Sequence, residues 1–185
     1  MNTSFATLIR HSFWVLILAV PAWCQKAGPP RPGSINYVEG QASIGAISLT
    51  PGAIGTAVLE KDQLLTTQAG KVEILLTPGV FLTVAENSSV KMVSPDLANT
   101  KVELEKGCAL VEVIEIRKEN DIRIDQKGAS TKLLRRGLYD FDADHAQVRV
   151  FKGKAELYRG NEKVTLTDRR EVALNIDAKA EVSEF

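Results

Sequence analysis

Residues Val58 to Val84 read VLEKDQLLTTQAGKVEILLTPGVFLTV, and this run sets the pattern for the rest of the chain. An apolar run closes at Leu65-Thr66-Thr67, and Gln68-Ala69-Gly70 reads as a turn. Val72, Ile74 and Leu76 then alternate with Lys71, Glu73 and Thr77, broken only by Leu75. Thr77-Pro78-Gly79 reads as a second turn, and Val80 to Val84 is apolar again. Successive side chains of a strand point to opposite faces. Period-two apolar spacing between Gly and Pro breakers therefore describes half-buried strands joined by tight turns.

The same reading extends in both directions. Upstream, Ile35 to Gly40 reads as a first strand, Ala42 to Leu49 as its neighbour, and Thr50 to Thr56 as a loop. Downstream, Val90 and Met92, then Val102 and Leu104, carry the alternation up to the break at Gly107. Cys108 to Ile116 is partly apolar on both faces, which predicts a central strand. Ile122 and Ile124, Tyr139 and Phe141, Val148 and Val150, Ala155 and Leu157, Val164 and Leu166, and Val172 to Ile176 continue the series between Gly-centred turns. No window keeps helical spacing behind a cap. The expectation is an all-β fold: an antiparallel β-sandwich, jelly-roll-like, of many short strands, with a twisted β-solenoid as the alternative. Val72, Ile74, Val102, Leu104, Val148 and Val150 should face its core.

The chain of 185 residues has a formal net charge of zero and is 44% apolar, which suits one globular domain with a sizeable core. Balanced charge argues against a nucleic-acid binder, which carries a basic face. The N-terminus reads differently from the rest. Arg10 precedes the apolar run Phe13 to Ala22 (FWVLILAVPA), and small residues follow at Ala22 and Ala27. That order describes a secretory signal peptide, and the run is far short of the ~20 residues a membrane span needs. The expected organisation is a signal peptide over 1–24, a Pro/Gly-rich linker over 25–33, the all-β domain over 34–176 and a polar C-terminal tail over 177–185 that frays. The mature protein should be periplasmic or secreted, with no transmembrane span. A lipid anchor at Cys24 is not expected, because Pro21 and Trp23 stand where lipoprotein signals carry Leu and Gly or Ala. If Cys24 leaves with the signal, Cys108 has no partner for a disulfide.

The search for chemistry yields little. His145 is the one histidine of the mature chain and sits in Asp142-Ala143-Asp144-His145-Ala146. A base or metal ligand would need a second ligand at metal spacing, and a polar turn explains the Asp residues. Asp140, Asp142 and Asp144 imitate the start of a calcium loop, but His145 and Phe151 occupy its Gly and Glu positions. Glu112 and Glu115 read as lying on opposite strand faces, and no nucleophile elbow or phosphate loop is present. No catalytic, cofactor-binding or metal-binding residue is therefore assigned, and no cofactor. Lys132, Arg135 and Arg136, and later Arg169 and Arg170, read as charged strand edges or faces. Tyr37, Tyr139, Phe141 and Tyr158 could line a sugar-binding face.

The ordered set of units resembles the FecR domain family. Gly33-Ser34-Ile35-Asn36-Tyr37-Val38-Glu39-Gly40 resembles its opening G-x-V-x-x-V-x-G, and Leu59 to Thr67 its L-x-x-G-D-x-L-x-T, with Lys61 where Gly is usual. Gly70 to Leu76, Pro78-Gly79 to Val84 and Glu86 to Val90 follow in the family's order. Leu104 to Gly107 with Leu110 to Val113 resembles L-x-x-G-x-V-x-V. Arg136 to Phe141 resembles G-T-x-F, with Leu138 where Thr is usual, and Val148 to Ala155 resembles the closing V-x-V-x-x-G-x-V. The resemblance implies an extracytoplasmic domain. Well-known members are inner-membrane regulators that relay an outer-membrane transporter's state to a sigma factor. They need a cytoplasmic N-terminal region, whereas only about a dozen residues precede the apolar run here. The extracytoplasmic domain can be shared without that relay.

Together these readings predict an exported, non-enzymatic interaction or sensing module of the cell envelope, with an unknown envelope protein or polymer as partner. The alternative is a carbohydrate- or polymer-binding β-sandwich. Intact-mass analysis of the exported protein should return a mass without residues 1–22. A mass that retains them would contradict the signal reading.

Overall fold

A computed structural model describes residues 31–174 and 181–185. The predicted signal over 1–24, Cys24, most of the linker and residues 177–180 of the tail lie outside the described residues.

Fifteen strands form among the described residues. They are β1 (Ser34–Ile44), β2 (Ile47–Leu49), β3 (Leu64–Thr77), β4 (Val80–Val84), β5 (Ser89–Pro95), β6 (Asn99–Lys106), β7 (Cys108–Val113), β8 (Asp121–Gln126), β9 (Ala129–Leu133), β10 (Gly137–Asp142), β11 (Gln147–Lys152), β12 (Lys154–Arg159), β13 (Glu162–Thr167), β14 (Arg170–Ala173) and β15 (Val182–Glu184). The only helical element described is a 3-10 turn at Pro51–Ala53.

The long strand β3 organises the rest. Residues Leu64 to Thr66 pair with β5, and Val72 to Thr77 pair with β4, while β1 runs antiparallel along most of β3's length. Two wings grow from this shared strand. One continues through β5, β6, β8, β9, β12 and β13, the other through β4, β7, β10, β11, β14 and β15. All strands belong to one hydrogen-bonded sheet. β13 comes back against β11 and β14, so the sheet curls nearly into a barrel around a single core. β6 and β8 pair in parallel, which departs from the purely antiparallel expectation: the chain crosses to the other wing through β7 before returning beside β6.

Gln68-Ala69-Gly70 is not a turn. β3 passes straight through it, bent where Gly70 (φ +113°) faces Gly40 (φ +73°) of β1. A Cβ on Gly40 would lie 1.8 Å from the Ala69 carbonyl oxygen, and one on Gly70 would lie 2.0 Å from that of Glu39. Glycine at both positions lets two strands cross this tightly, and a register shift between Gly40 and Ala42 accompanies the bend. Gly40 likewise lies inside β1 and does not end it. Within the predicted tail, Val182 to Glu184 pair with β14.

The alternation itself places the core. Val72, Ile74, Val102, Leu104, Val148 and Val150 are all buried, joined by Tyr139, Phe141, Ile122, Ile124 and Leu157. Each such aliphatic side chain contributes ~1.5–3 kcal/mol of transfer free energy. β7 lies between β4 and β10, but it is shorter than the predicted Cys108 to Ile116 strand and buries one face only, through Ala109, Val111 and Val113.

Gly70→Ala should destabilise by at least ~2 kcal/mol, because backbone strain and a backbone clash add. Gly128→Ala, also at positive φ but with nothing within 4 Å of the added methyl, should cost only about 1 kcal/mol. Val148→Asp should cost several kcal/mol, since it buries an unpaired charge. Urea unfolding midpoints check all three, and equal losses for the two glycine variants would contradict the close-approach reading.

Candidate interaction surface

The chain changes wing at four places along one rim: residues 114–120 after β7, 134–136 after β9, Gly153 after β11 and 168–169 after β13. These crossovers enclose a surface groove of about 470 Å³. A second depression of about 440 Å³ adjoins it, sharing Ile114, Arg136 and Lys152 and adding Leu138.

Local chemistry fixes the crossovers against one another. The buried Tyr139 hydroxyl donates to the Arg135 carbonyl at 2.5 Å and accepts from the Lys154 N–H at 3.1 Å. Burial pushes the Tyr139 phenol up, so it stays a neutral donor. Gly153 passes so close that a Cβ would lie 2.2 Å from that hydroxyl, and a Cβ on Gly137 would lie 1.9 Å from the Lys152 carbonyl oxygen. Asp168 accepts the Gly153 N–H at 2.6 Å. One tyrosine, two glycines and one aspartate thus position the rim.

The groove's charges are unequally engaged. Glu115 is paired with Arg117 at 3.5 Å, and Asp168 is held by Gly153. Arg135, Arg136 and Lys152 are exposed and make no ion pair among the described residues. Beside them Ile114 is 60% exposed. The rim therefore offers three available cations next to an apolar side chain.

The structure divides the predicted Lys132 to Arg136 face. Lys132 lies on β9, which has β8 and β12 on its two sides, and it is paired with Asp121 at 3.2 Å. No sheet edge is open there. Of that stretch Leu134, Arg135 and Arg136 reach the groove, and Ile114, Lys152 and Asp168 join them through connections too distant in sequence to be read together. The outer face around Lys132 is internally neutralised: Arg123 pairs with Asp121 at 2.9 Å, Lys101 with Asp125 at 2.9 Å, and Lys163 with Glu156 at 2.8 Å.

The four aromatics form no row. Tyr139 and Phe141 are core residues, Tyr37 lies on β1, and Tyr158 sits on the opposite wing from β10, under the cations of Arg123 and Lys163. Cys108 is half-buried, and burial, then the Asp142, Asp140 and Asp144 carboxylates, pushes its thiol up, which suits a poor nucleophile.

His145 lies in the β10–β11 turn with its side chain 80% exposed. Its N–H donates to Asp142 at 2.8 Å, and its Nδ1 meets the other Asp142 oxygen at 2.7 Å. Asp144 instead accepts the Gly107 N–H at 3.0 Å, and Asp140 pairs with Arg149 at 2.7 Å. The three aspartates diverge to separate partners, and no group of three or more potential metal ligands converges among the described residues. Burial opposes ionisation of Asp142, but the hydrogen bonds from His145 outweigh it and hold the carboxyl below the ordinary carboxylate range. Its stabilising share is complete above the unfolded value of about 3.9 and is lost as pH falls through the lower folded value. Asp142→Asn should accordingly cost ~1 kcal/mol at pH 7 and little near pH 2. Urea midpoints at the two pH values test this, and a loss independent of pH would contradict it.

Among the described residues no helix is long and apolar enough to cross a membrane. No curated protein matches the chain. Two crystal structures, each described as a candidate anti-sigma factor from Parabacteroides distasonis ATCC 8503, share its fold. The first matches with a TM-score of 0.54 at 14% identity, covering 64% of this chain and 57% of that one. The second matches with a TM-score of 0.55 at 14% identity, covering 65% and 59%. The chain thus spans less than two thirds of those proteins. The pattern of the FecR protein family matches residues 62–156, just over half of the sequence, from the turn before β3 through the middle of β12. The chain belongs to the FecR protein family.

Proposed function

We propose that this protein is an exported, non-enzymatic interaction or sensing module of the cell envelope, engaging a protein partner through the groove at the crossover rim. Family membership carries the reading, and the fold shared with candidate anti-sigma factors supports a regulatory role over a catalytic one. The rim supplies what recognition of a partner requires. Its backbone is fixed by the Tyr139 hydroxyl, so little ordering is lost on binding. Arg135, Arg136 and Lys152, which make no ion pair among the described residues, steer an acidic surface, and Ile114 and Leu138 give that surface an apolar contact. The side-chain cluster that general acid–base or metal chemistry would need is not what these residues build: His145 is solvent-facing and bound to a single carboxylate.

Capture from envelope extract tests the proposal. The wild-type domain should retain a discrete partner, and Arg135→Glu with Arg136→Glu should reduce its capture by about tenfold or more, a loss of ~1.4 kcal/mol. The paired variant Lys132→Glu, with its side chain off the rim, serves as the comparison. Equal capture by the rim variant and the wild type would overturn the groove as the binding surface.

A further inference from the structure

β14 has two neighbours of unequal strength. β11 pairs with all four of its residues, and Val172 is buried beneath them. On the other side β15 pairs with only three, leaving Ala173 without a β15 partner, and every β15 residue is exposed. The contacts that hold β15 are slight. Arg170 meets Glu184 at 3.7 Å between side chains 41% and 58% exposed, a geometry that contributes little in water. The Ser183 hydroxyl reaches Glu171 at 3.4 Å. The Phe185 ring stands edge-on to Phe151, centroids 5.3 Å apart, and the two residues remain 44% and 41% exposed. β15 itself contributes no buried residue. Lifting it away uncovers a row of backbone N–H and C=O groups on β14, which is a template for another strand.

We propose that the β14 edge is a strand-addition site for an extended segment of a partner protein, and that β15 fills it as an internal stand-in. The stand-in defines the chemistry of the true occupant. Glu184 lies opposite Arg170, and the next residue, Phe185, reaches Phe151. The partner segment therefore runs antiparallel to β14 and carries a carboxylate followed directly by an aromatic. Backbone pairing supplies affinity, and the Arg170 and Phe151 contacts supply register. The inference rests on the interaction reading only in requiring a protein partner, and it uses a surface separate from the crossover groove.

The test titrates a synthetic peptide containing Glu-Val-Ser-Glu-Phe into the full chain, followed by amide chemical shifts. The double variant Glu184→Lys with Phe185→Ser, both at exposed positions, weakens the stand-in without touching the core. It should bind the peptide at least tenfold more tightly than the wild type, with shifts centred on β14. Adding Phe151→Ala, or replacing the Glu-Phe pair of the peptide with Lys-Ser, should remove that gain. Equal binding to wild type and variant, or shifts centred elsewhere, would overturn the edge site. Concentration-dependent self-association of the wild type that the double variant loses would assign the edge to a second copy and overturn the partner reading. None of these outcomes depends on Arg135 or Arg136, so failure here leaves the groove proposal standing.

Discussion

Gly40 and Gly70 face each other across β1 and β3 with no room for a Cβ on either. The bend they permit divides β3 between two sets of neighbours, β5 below it and β4 above. Every later strand adds to one wing or the other, outward from that shared strand. A straight β3 would leave the two wings in one open sheet, with Val72, Ile74, Val90 and Met92 facing solvent. The bend turns the wings toward each other and closes a single core over those side chains. The conformational cost of glycine in a strand, ~0.5–1 kcal/mol relative to alanine, is small beside that burial.

The chain alternates between wings, and the crossovers after β7, β9, β11 and β13 gather along one rim. Rims of this kind expose backbone and side chains on a rigid support, which is where recognition commonly resides. Tyr139 shows how the core and the rim are coupled. Its ring packs inside while its hydroxyl ties Arg135 to Lys154, so the position of the groove follows from the packing of β10. The outer face of the other wing is built on opposite terms. Its acids and bases neutralise one another in cross-strand pairs, leaving the cations of Arg135, Arg136 and Lys152 as a local excess on a chain of zero net charge.

Period-two spacing made most of the fold legible. Val72, Ile74, Val102, Leu104, Val148 and Val150 announce their faces because a half-buried strand has only two. Gly70 reads as a turn for a physical reason: a glycine that ends a strand and one that bends it look alike until its opposing partner, Gly40, is known. The parallel pairing of β6 with β8 is likewise invisible locally, since it depends on where β7 goes. At the site, Arg135 and Arg136 stand out as adjacent charges, but Lys132, three residues before Arg135, faces a different surface with a different partner. Ile114, Lys152 and Asp168 meet them only through the winding of the chain. The turn at His145 is legible, because an Asp-rich, small-residue segment describes a turn by composition alone.

Native-state hydrogen exchange across a urea series tests most directly whether one sheet hinged on β3 governs the whole fold. The account predicts that amides of β3 on both sides of Gly70 exchange slowest, and that the strands of the two wings lose protection together with them in one global opening, with β15 exchanging far earlier. Protection lost from the β5–β13 wing while β4, β7 and β10 remain protected would show two separable units, and would contradict the account.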